Sequence, residues 1–380
     1  MNPKVSFVIP CYKLAHLLPD CVHSILAQTY RDFEVLIMDD CSPDDTPEVA
    51  KSFQDPRVKH IRNEPNLGHI RNFNKGISLA AGKYVWLISA DDLLRVPYVL
   101  ERYVKVMEQH PGVAYAFCPA AGLYGDQERR MLPYSVYGRS DAIVAGRRFV
   151  RDILSRNFVV APSVMVRKTC YDKVGLFPLD MPYASDWYMW CLLPLYYDVA
   201  YFAEPMVSYR QHDESITNAL MSAKVRLCIE DDLAVLWRVK QKAEEAGQSA
   251  IAKRCRNEIA DEYARHITGK KYVKVAGGSM SLAEAESSLH RHAGSAAEEQ
   301  WIRARMYMFV GEVHFRQQDF RRALEFYRRG LREDPWMIKV WIKRFLLHTG
   351  TLGFRVRQHV FALRQAASGE SGTAETGHTP

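Results

Sequence analysis

None of the eight cysteines, at positions 11, 21, 41, 118, 170, 191, 228 and 255, forms a C-x-x-C pair, and several fall inside apolar segments. That spacing excludes a zinc ribbon and speaks against a disulfide framework, so reduced, buried thiols of a cytosolic protein are expected. No apolar run approaches the roughly 18–20 residues that a membrane span needs. Met1-Asn2-Pro3-Lys4 passes into a strand pattern at once, which leaves no room for a signal peptide. No G-x-G-x-x-G follows the first strand, which sets aside a dinucleotide-dependent oxidoreductase. A general excess of one charge is also missing. The formal +7 sits in Trp301–Gln365, with 14 Lys or Arg against 5 Asp or Glu, while the remainder holds 37 against 39. A local patch of that kind is no general polyanion-binding surface, and no nucleic-acid partner is expected.

What is present is a chain of 380 residues, 48% hydrophobic and 25% charged. That suits a soluble globular protein of two or three domains. Val5–Pro10, Phe33–Met38, Val58–Arg62 and Lys83–Ile88 read as strands. Helices fill the intervals: Leu14 to Leu26 at helical spacing, a short one from Thr46 to about Phe53, and one through Arg71 and Ala80 that Gly82 stops. Strands alternating with helices predict βαβ units and a mostly parallel, doubly wound α/β sheet. Further on, the pattern predicts a helix over Pro97–His110, a strand over Val113–Cys118 and a long loop over Gly122–Ser140. A helix over Asp141–Arg156, a strand over Ala161–Val166, a helix from Ser185 to about Tyr197 and strands at Val199–Phe202 and Met206–Tyr209 follow. From Asn218 the chain reads as all-helical, so the predicted division is 1–217, a helical region 218–300, a basic helical region 301–365 and a disordered tail 366–380.

The strand Lys83-Tyr84-Val85-Trp86-Leu87-Ile88 runs through Ser89-Ala90 into Asp91-Asp92. In open parallel sheets ligands bind beyond the carboxyl ends of the strands. Two adjacent carboxylates resist joint ionisation unless a cation joins them, and an oxygen-seeking Mg²⁺ or Mn²⁺ would do so and hold a phosphorylated ligand. The same pair suits a turn that caps the next helix.

Four stretches in order carry more information than any one of them: Val5-Ser6-Phe7-Val8-Ile9-Pro10-Cys11-Tyr12, Ile37-Met38-Asp39-Asp40-Cys41-Ser42, Asn66-Leu67-Gly68-x-x-Arg71-Asn72 and Ser89-Ala90-Asp91-Asp92. With Ser185-Asp186-Trp187 and Tyr209-Arg210-x-His212, they resemble the nucleotide-sugar-dependent glycosyltransferases of family 2, which have the GT-A fold, over roughly residues 3–220. The resemblance implies an inverting, metal-dependent glycosyltransferase. Asp40 would accept a hydrogen bond from a pyrimidine base, and Pro10, Tyr12 and Arg71 would line the nucleotide. Asp91 would contact ribose or donor sugar, and Asp92 with His212 would hold Mg²⁺ or Mn²⁺. Asp186 would be the general base, although its place before an apolar helix also suits a cap. Ser89 departs from the family, which commonly has another Asp there.

Neither the Q-x-x-R-W motif nor the membrane spans of that family's processive polymer synthases is present, so the resemblance implies transfer of a single sugar, from a UDP- or dTDP-sugar, to a glycan or lipid-linked acceptor in cell-surface polysaccharide synthesis. The alternative is a non-catalytic sugar-nucleotide or glycan-binding scaffold acting through its helical C-terminus. There, Tyr307, Val310, Gly311, His314, Ala323, Tyr327 and Pro335 follow a tetratricopeptide-like hairpin spacing. Trp336, Trp341 and Phe345 mix with Lys339, Lys343 and Arg344, a combination that suits peripheral contact with an anionic membrane surface on the cytoplasmic side.

Overall fold

The structure is a computed structural model that describes residues 2–125, 127–212, 215–272, 275 and 277–348. The chain divides into two compact units, Met1–Glu258 with Val275–Gly277, and Ile259–Lys274 with Gly278–Pro380.

The first unit is built on two sheets. Its strands are β1 (Val5–Cys11), β2 (Phe33–Asp39), β3 (Val58–Arg62), β4 (Tyr84–Leu87), β5 (Leu93–Leu94), β6 (Val113–Phe117), β7 (Ala120–Tyr124), β8 (Gln127–Met131), β9 (Ala142–Val144), β10 (Met165–Arg167), β11 (Asp198–Tyr201) and β12 (Val207–Arg210). The large sheet has the order β3-β2-β1-β4-β10-β6-β11-β9 and the small one β5-β12-β7-β8. Pairings β1–β2, β1–β4, β2–β3 and β6–β11 are parallel, and β10 runs antiparallel to both its neighbours. Helices α1 (Leu18–Leu26), α2 (Thr46–Ser52), α3 (His69–Leu79), α4 (Val99–Gln109), α5 (Gly146–Ile153), α6 (Cys170–Val174) and α7 (Ser185–Leu192) connect them. The expected mostly parallel, doubly wound α/β sheet is what the chain forms.

Every residue of β1 and β2 is buried, which is why both read as unbroken apolar runs. Two of the polar exceptions, Ser6 and Glu34, pair with each other. Ser6 Oγ donates to Glu34 Oε1 at 2.6 Å, and Glu34 also accepts from Ala81 N (2.9 Å) and Lys59 Nζ (2.8 Å). Behind β4 the rings of Phe7, Trp86, Tyr103 and Phe202 stack in series, with centroids 5.5, 4.6 and 4.7 Å apart. Trp86 Nε1 then donates to Pro162 O at 2.8 Å, and Tyr103 Oη to Ser163 O at 3.0 Å. These two bonds fix the Pro162-Ser163 backbone against β4 and α4.

Three expectations are corrected. The loop predicted over Gly122–Ser140 begins instead with the β7–β8 pair. Ala120-Ala121-Gly122 has little strand propensity of its own, and β12, almost ninety residues downstream, supplies the parallel partner. The helix predicted over Asp141–Arg156 starts only at Gly146, because Ala142–Val144 pairs with β11. The strand predicted over Ala161–Val166 is a 3₁₀ turn at Ala161–Ser163 followed by β10. Helices α8 (Ile216–Ala223) and α9 (Val225–Glu245) lie in the first unit, so its compact body runs past residue 217 to Glu258. Asp231 on α9 accepts from Tyr183 N at 2.7 Å and Ala184 N at 3.3 Å, which ties α9 to the start of α7.

Gly146 is required by packing. A Cβ there would lie 2.0 Å from Tyr197 O and 2.2 Å from Pro194 O, both backbone atoms that cannot step aside. Gly146→Ala is expected to destabilise the chain by about 3 kcal/mol, read as a lower urea midpoint at unchanged slope. An unchanged midpoint would contradict this packing.

Helix α10 (Ser249–Ile267) continues past residue 258, and the second unit adds α11 (Leu282–His292), α12 (Ala296–Arg316), α13 (Phe320–Glu333) and α14 (Ile338–His348). The tetratricopeptide-like spacing does form a helical hairpin, α12–α13. Ala304, Ala323, Tyr327, Leu331, Met337 and Val340 make its core, and Gly311 lets the Tyr327 ring lie flat against α12. Residues 349–380, with the basic positions 355, 357 and 364 and the predicted tail, lie outside the described residues.

Candidate active site

Asp91 and Asp92 occupy the turn that leaves β4 in the large sheet and enters β5 in the small one. The apolar run pulls β4 into the core, and the two acids end it at the carboxyl edge. Strand β12 pairs antiparallel with β5, Val207 to Leu94 and Ser208 to Leu93, so its next residues run back along the acids. Arg210 N donates to Asp92 Oδ1 at 3.0 Å. The buried Arg210 guanidinium donates through Nε to Asp91 O (3.0 Å) and through Nη1 to Gly125 O (2.6 Å). His212 Nε2 meets Asp91 Oδ2 at 2.9 Å. The predicted ligand His212 thus lies against Asp91, while Asp92 lies against the Arg210 backbone.

Asp92 is almost fully buried, and burial first, then the neighbouring Asp91, pushes its carboxyl well above the ordinary range; the bond from Arg210 N and the Arg210 charge act the other way. Asp91 Oδ1 is a buried oxygen with no partner among the described residues. An orphaned carboxylate oxygen beside an acid held against its charge costs free energy that a cation would relieve. Two carboxylates and an imidazole also form a donor set suited to Mg²⁺ or Mn²⁺. These donor types suit a divalent ion, while among the described residues the Asp91, Asp92 and His212 donor atoms do not all lie within 4.8 Å of one another.

Asp40 follows β2 at the same edge and is buried. Its oxygens accept from Asn63 Nδ2 (2.9 Å), Leu67 N (2.8 Å) and Gly68 N (2.9 Å), so it anchors the turn into α3. A carboxylate has about four lone-pair directions, which leaves about one for a ligand. Neighbouring Asp39 is fully buried too. Burial would raise it, but bonds from Ser42, Arg62 and His60 prevail and hold it below the usual carboxylate range. Pro10 is the buried penultimate residue of β1, and Tyr12 is exposed just beyond. Arg71 is exposed on the first turn of α3.

Asp186 is the second residue of α7, inside the first turn; its side chain accepts from its neighbour's Trp187 N at 2.6 Å. Asn157 Nδ2 donates to its other oxygen at 3.2 Å. Burial raises Asp186 to about 6, against these two hydrogen bonds, which lower it. Topology sets it at the same edge as the other acids. Strand β10 runs antiparallel to β4, so the 157–163 segment that precedes it starts where β4 ends. From the Asp40 side, the turn that this residue anchors leads to His69, whose Nε2 meets Pro182 O at 2.8 Å, four residues before Asp186. Hydrogen bonds join Asp91, Asp92, Arg210 and His212 directly, while Asp40 and Asp186 stand in separate bonded groups on segments that border the same strand ends.

Two residues here had no assigned role from sequence. Arg210 stands inside the Tyr-Arg-x-His motif but reads as an ordinary strand-end cation. Asn157 has no pattern that signals it, since its link to Asp186 spans 29 positions. A cavity of about 540 Å³ lies elsewhere, at the amino edge of β1 and β4, lined by Pro3, Lys4, Gly82, Lys83 and Lys168.

Residues 6–170 match the family model described as glycosyl transferase family 2. Over 115 residues the chain is 34% identical to glycosyltransferase GlyG of Streptococcus pneumoniae serotype 4, covering 30% of this chain and 38% of that protein. Over 130 residues it is 30% identical to glycosyltransferase GlyA of the same organism, covering 33% of this chain and 18% of that one. The chain thus spans well under half the length of these two curated relatives. Among solved structures, S. aureus TarS residues 1–349 in complex with UDP-GlcNAc superposes with a TM-score of 0.59 at 17% identity, over 86% of this chain and 92% of that one. The complex of the same TarS segment with UDP gives 0.58 at 18% identity.

Proposed function

We propose that this chain, whose residues 6–170 match the model of glycosyl transferase family 2 and which carries the GT-A fold with a helical C-terminal region, transfers a single sugar, with inversion, from a UDP- or dTDP-sugar to a glycan or lipid-linked acceptor in cell-surface polysaccharide synthesis. The observation that carries this reading is Asp186. It is a carboxylate raised to about 6 by burial, on the sheet edge that also bears Asp91 and Asp92. A base poised near the working pH takes a proton most effectively.

The donor's base would lie along Pro10 and Tyr12, with its N–H on the remaining acceptor direction of Asp40. Arg71 would pair with phosphate, and Asp91 would contact ribose or sugar. Asp92 and His212, with Asp91 beside them, would hold Mg²⁺ or Mn²⁺, which when bound neutralises charge on the departing nucleoside diphosphate. Asp186 would remove the acceptor hydroxyl's proton as that oxygen attacks the anomeric carbon, and the C–O bond to the diphosphate breaks on the opposite face. Asn157 and Trp187 N orient the Asp186 carboxylate. TarS, solved with UDP and with UDP-GlcNAc, supports a uridine donor. Screening a panel of sugar nucleotides for turnover tests the reading. Turnover of at least one is expected, and none with any donor would favour a sugar-nucleotide-binding scaffold.

No helix among the described residues is long and apolar enough to cross a membrane. Contact with an anionic membrane surface, on the cytoplasmic side, is supported by α14 and the residues before it. Trp336, Ile338 and Phe345 are 87%, 71% and 67% exposed, and the Arg344 guanidinium lies over the Trp341 ring. In liposome flotation the full chain is expected to rise with anionic vesicles, and Trp336→Ser with Phe345→Ser to lose most of that binding. Equal flotation of both would count against a lipid surface.

A further inference from the structure

A second cavity, of about 300 Å³, opens in the first unit beside the segment that holds Asp186, lined among others by Tyr137, Arg151, Asp152, Ser155, Arg156 and Arg254. Three guanidinium groups face one carboxylate there. Asp152 is occupied by the Tyr137 hydroxyl at 2.8 Å, and Arg254 pairs with Glu258 at 2.7 Å. Among the described residues, the Arg151 and Arg156 side chains have no hydrogen-bond or ion-pair partner. Two unpaired cations at one cavity repel each other unless an anion joins them, and the planar fork of each matches phosphate or carboxylate.

The cavity is bound to the proposed base by its own wall. Asn157, between the lining residues Arg156 and Phe158, donates the 3.2 Å bond to Asp186. Trp187 Nε1 donates back to Ile153 O at 3.0 Å, just after Asp152. The Tyr137 and Phe158 rings stack 5.3 Å apart and fix the same wall. A group in this cavity is therefore positioned relative to the Asp186 carboxylate through two hydrogen bonds and one peptide.

We infer that this cavity is the acceptor subsite for a phosphate or carboxylate group, so that the acceptor is an anionic sugar polymer or lipid-linked sugar phosphate whose free hydroxyl is presented to Asp186. The inference rests on the reading of Asp186 as the base. The donor's diphosphate has its own place at Asp91 and Asp92, which leaves Arg151 and Arg156 for the other substrate.

Ligand-observed NMR on the full chain, with glucose 6-phosphate, glucuronate and neutral glucose as probes, tests it. One or both anionic sugars are expected to bind, glucose not, whether or not saturating UDP is present. The arm that binds distinguishes a phosphate from a carboxylate acceptor. Arg151→Gln with Arg156→Gln should weaken that binding about ten-fold or more, leave UDP affinity unchanged, and recover in part with the two lysine substitutions. Both positions are exposed, and an unchanged melting curve checks that the variant folds. The inference is overturned if neither anionic sugar binds better than glucose, or if the glutamine variant binds as wild type does. UDP binding is measured separately: if it is absent while the anionic sugar still binds, the donor reading fails and the anion subsite stands.

Discussion

Asp186→Asn is expected to lower sugar transfer by about 10²–10⁴-fold, the range that a positioned general base contributes, while leaving nucleotide affinity within about two-fold. The same substitution should raise the melting temperature at pH 8. The sign follows from the shift: Asp186 stands at about 6 in the folded chain against an ordinary 3.8. The folded state therefore favours the protonated carboxyl. That stability is fully present below about pH 4 and is lost as pH rises through about 6. Asparagine, always neutral, keeps it. The half-buried position moderates the effect to about 1–2 kcal/mol at pH 8, and the difference should vanish near pH 4. In the wild type, transfer should rise with pH through about 6 as the base ionises. Retention of transfer within ten-fold by Asp186→Asn would remove Asp186 from the chemistry, whatever happened to stability.

Asp92→Ala is expected to abolish metal-dependent nucleotide binding, a loss of about 100-fold or more when UDP is titrated calorimetrically with Mn²⁺. The alanine also strips Arg210 N of its acceptor, so a loss of fold and a loss of ligand could be confused. Asp92→Asn separates them, because its amide oxygen still accepts from Arg210 N and its volume is nearly unchanged. The asparagine variant should melt as wild type does or higher, since burial and Asp91 disfavour a charge that the amide does not carry. Its UDP affinity should no longer respond to Mn²⁺. Wild-type affinity indifferent to metal, or an asparagine variant that keeps the response, would take the cation out of the proposed mechanism. Ser89 carries no charge, so Asp91 and Asp92 are the only carboxylates in this turn and the test bears directly on them.

The parts of this architecture that sequence made legible are those where local pattern and tertiary burial agree. Strands β1, β2 and β4 are buried on both faces and read as apolar runs, and the acids that end them fall at the ligand edge because strands end where polarity begins. The parts it hid depend on distant partners. Ala120-Ala121-Gly122 becomes a strand only because β12 lies alongside. Helix α9 reads as part of a separate helical region because strand patterns stop near Asn218, yet its Asp231 is buried as acceptor for the α7 backbone. At the site, the identity of the acids was visible and their contacts were not. Asp40, read as the acceptor for a base, also holds Leu67 and Gly68, and His212, read together with Asp92, meets Asp91. The support from Asn157 could not be read at all, since no periodicity links a loop amide to a helix 29 positions on.

The turn between β4 and β5 has one further consequence. Its acids descend from one sheet, whereas Arg210 and His212 arrive on and just after a strand of another, aligned by its pairings with β5 and β7. Deleting one residue ahead of Val207 would rotate Tyr209 and Arg210 to opposite sides of their ribbon. The cluster would come apart with every acid intact, so insertions and deletions between residues 203 and 206 should inactivate the protein as thoroughly as removing a carboxylate.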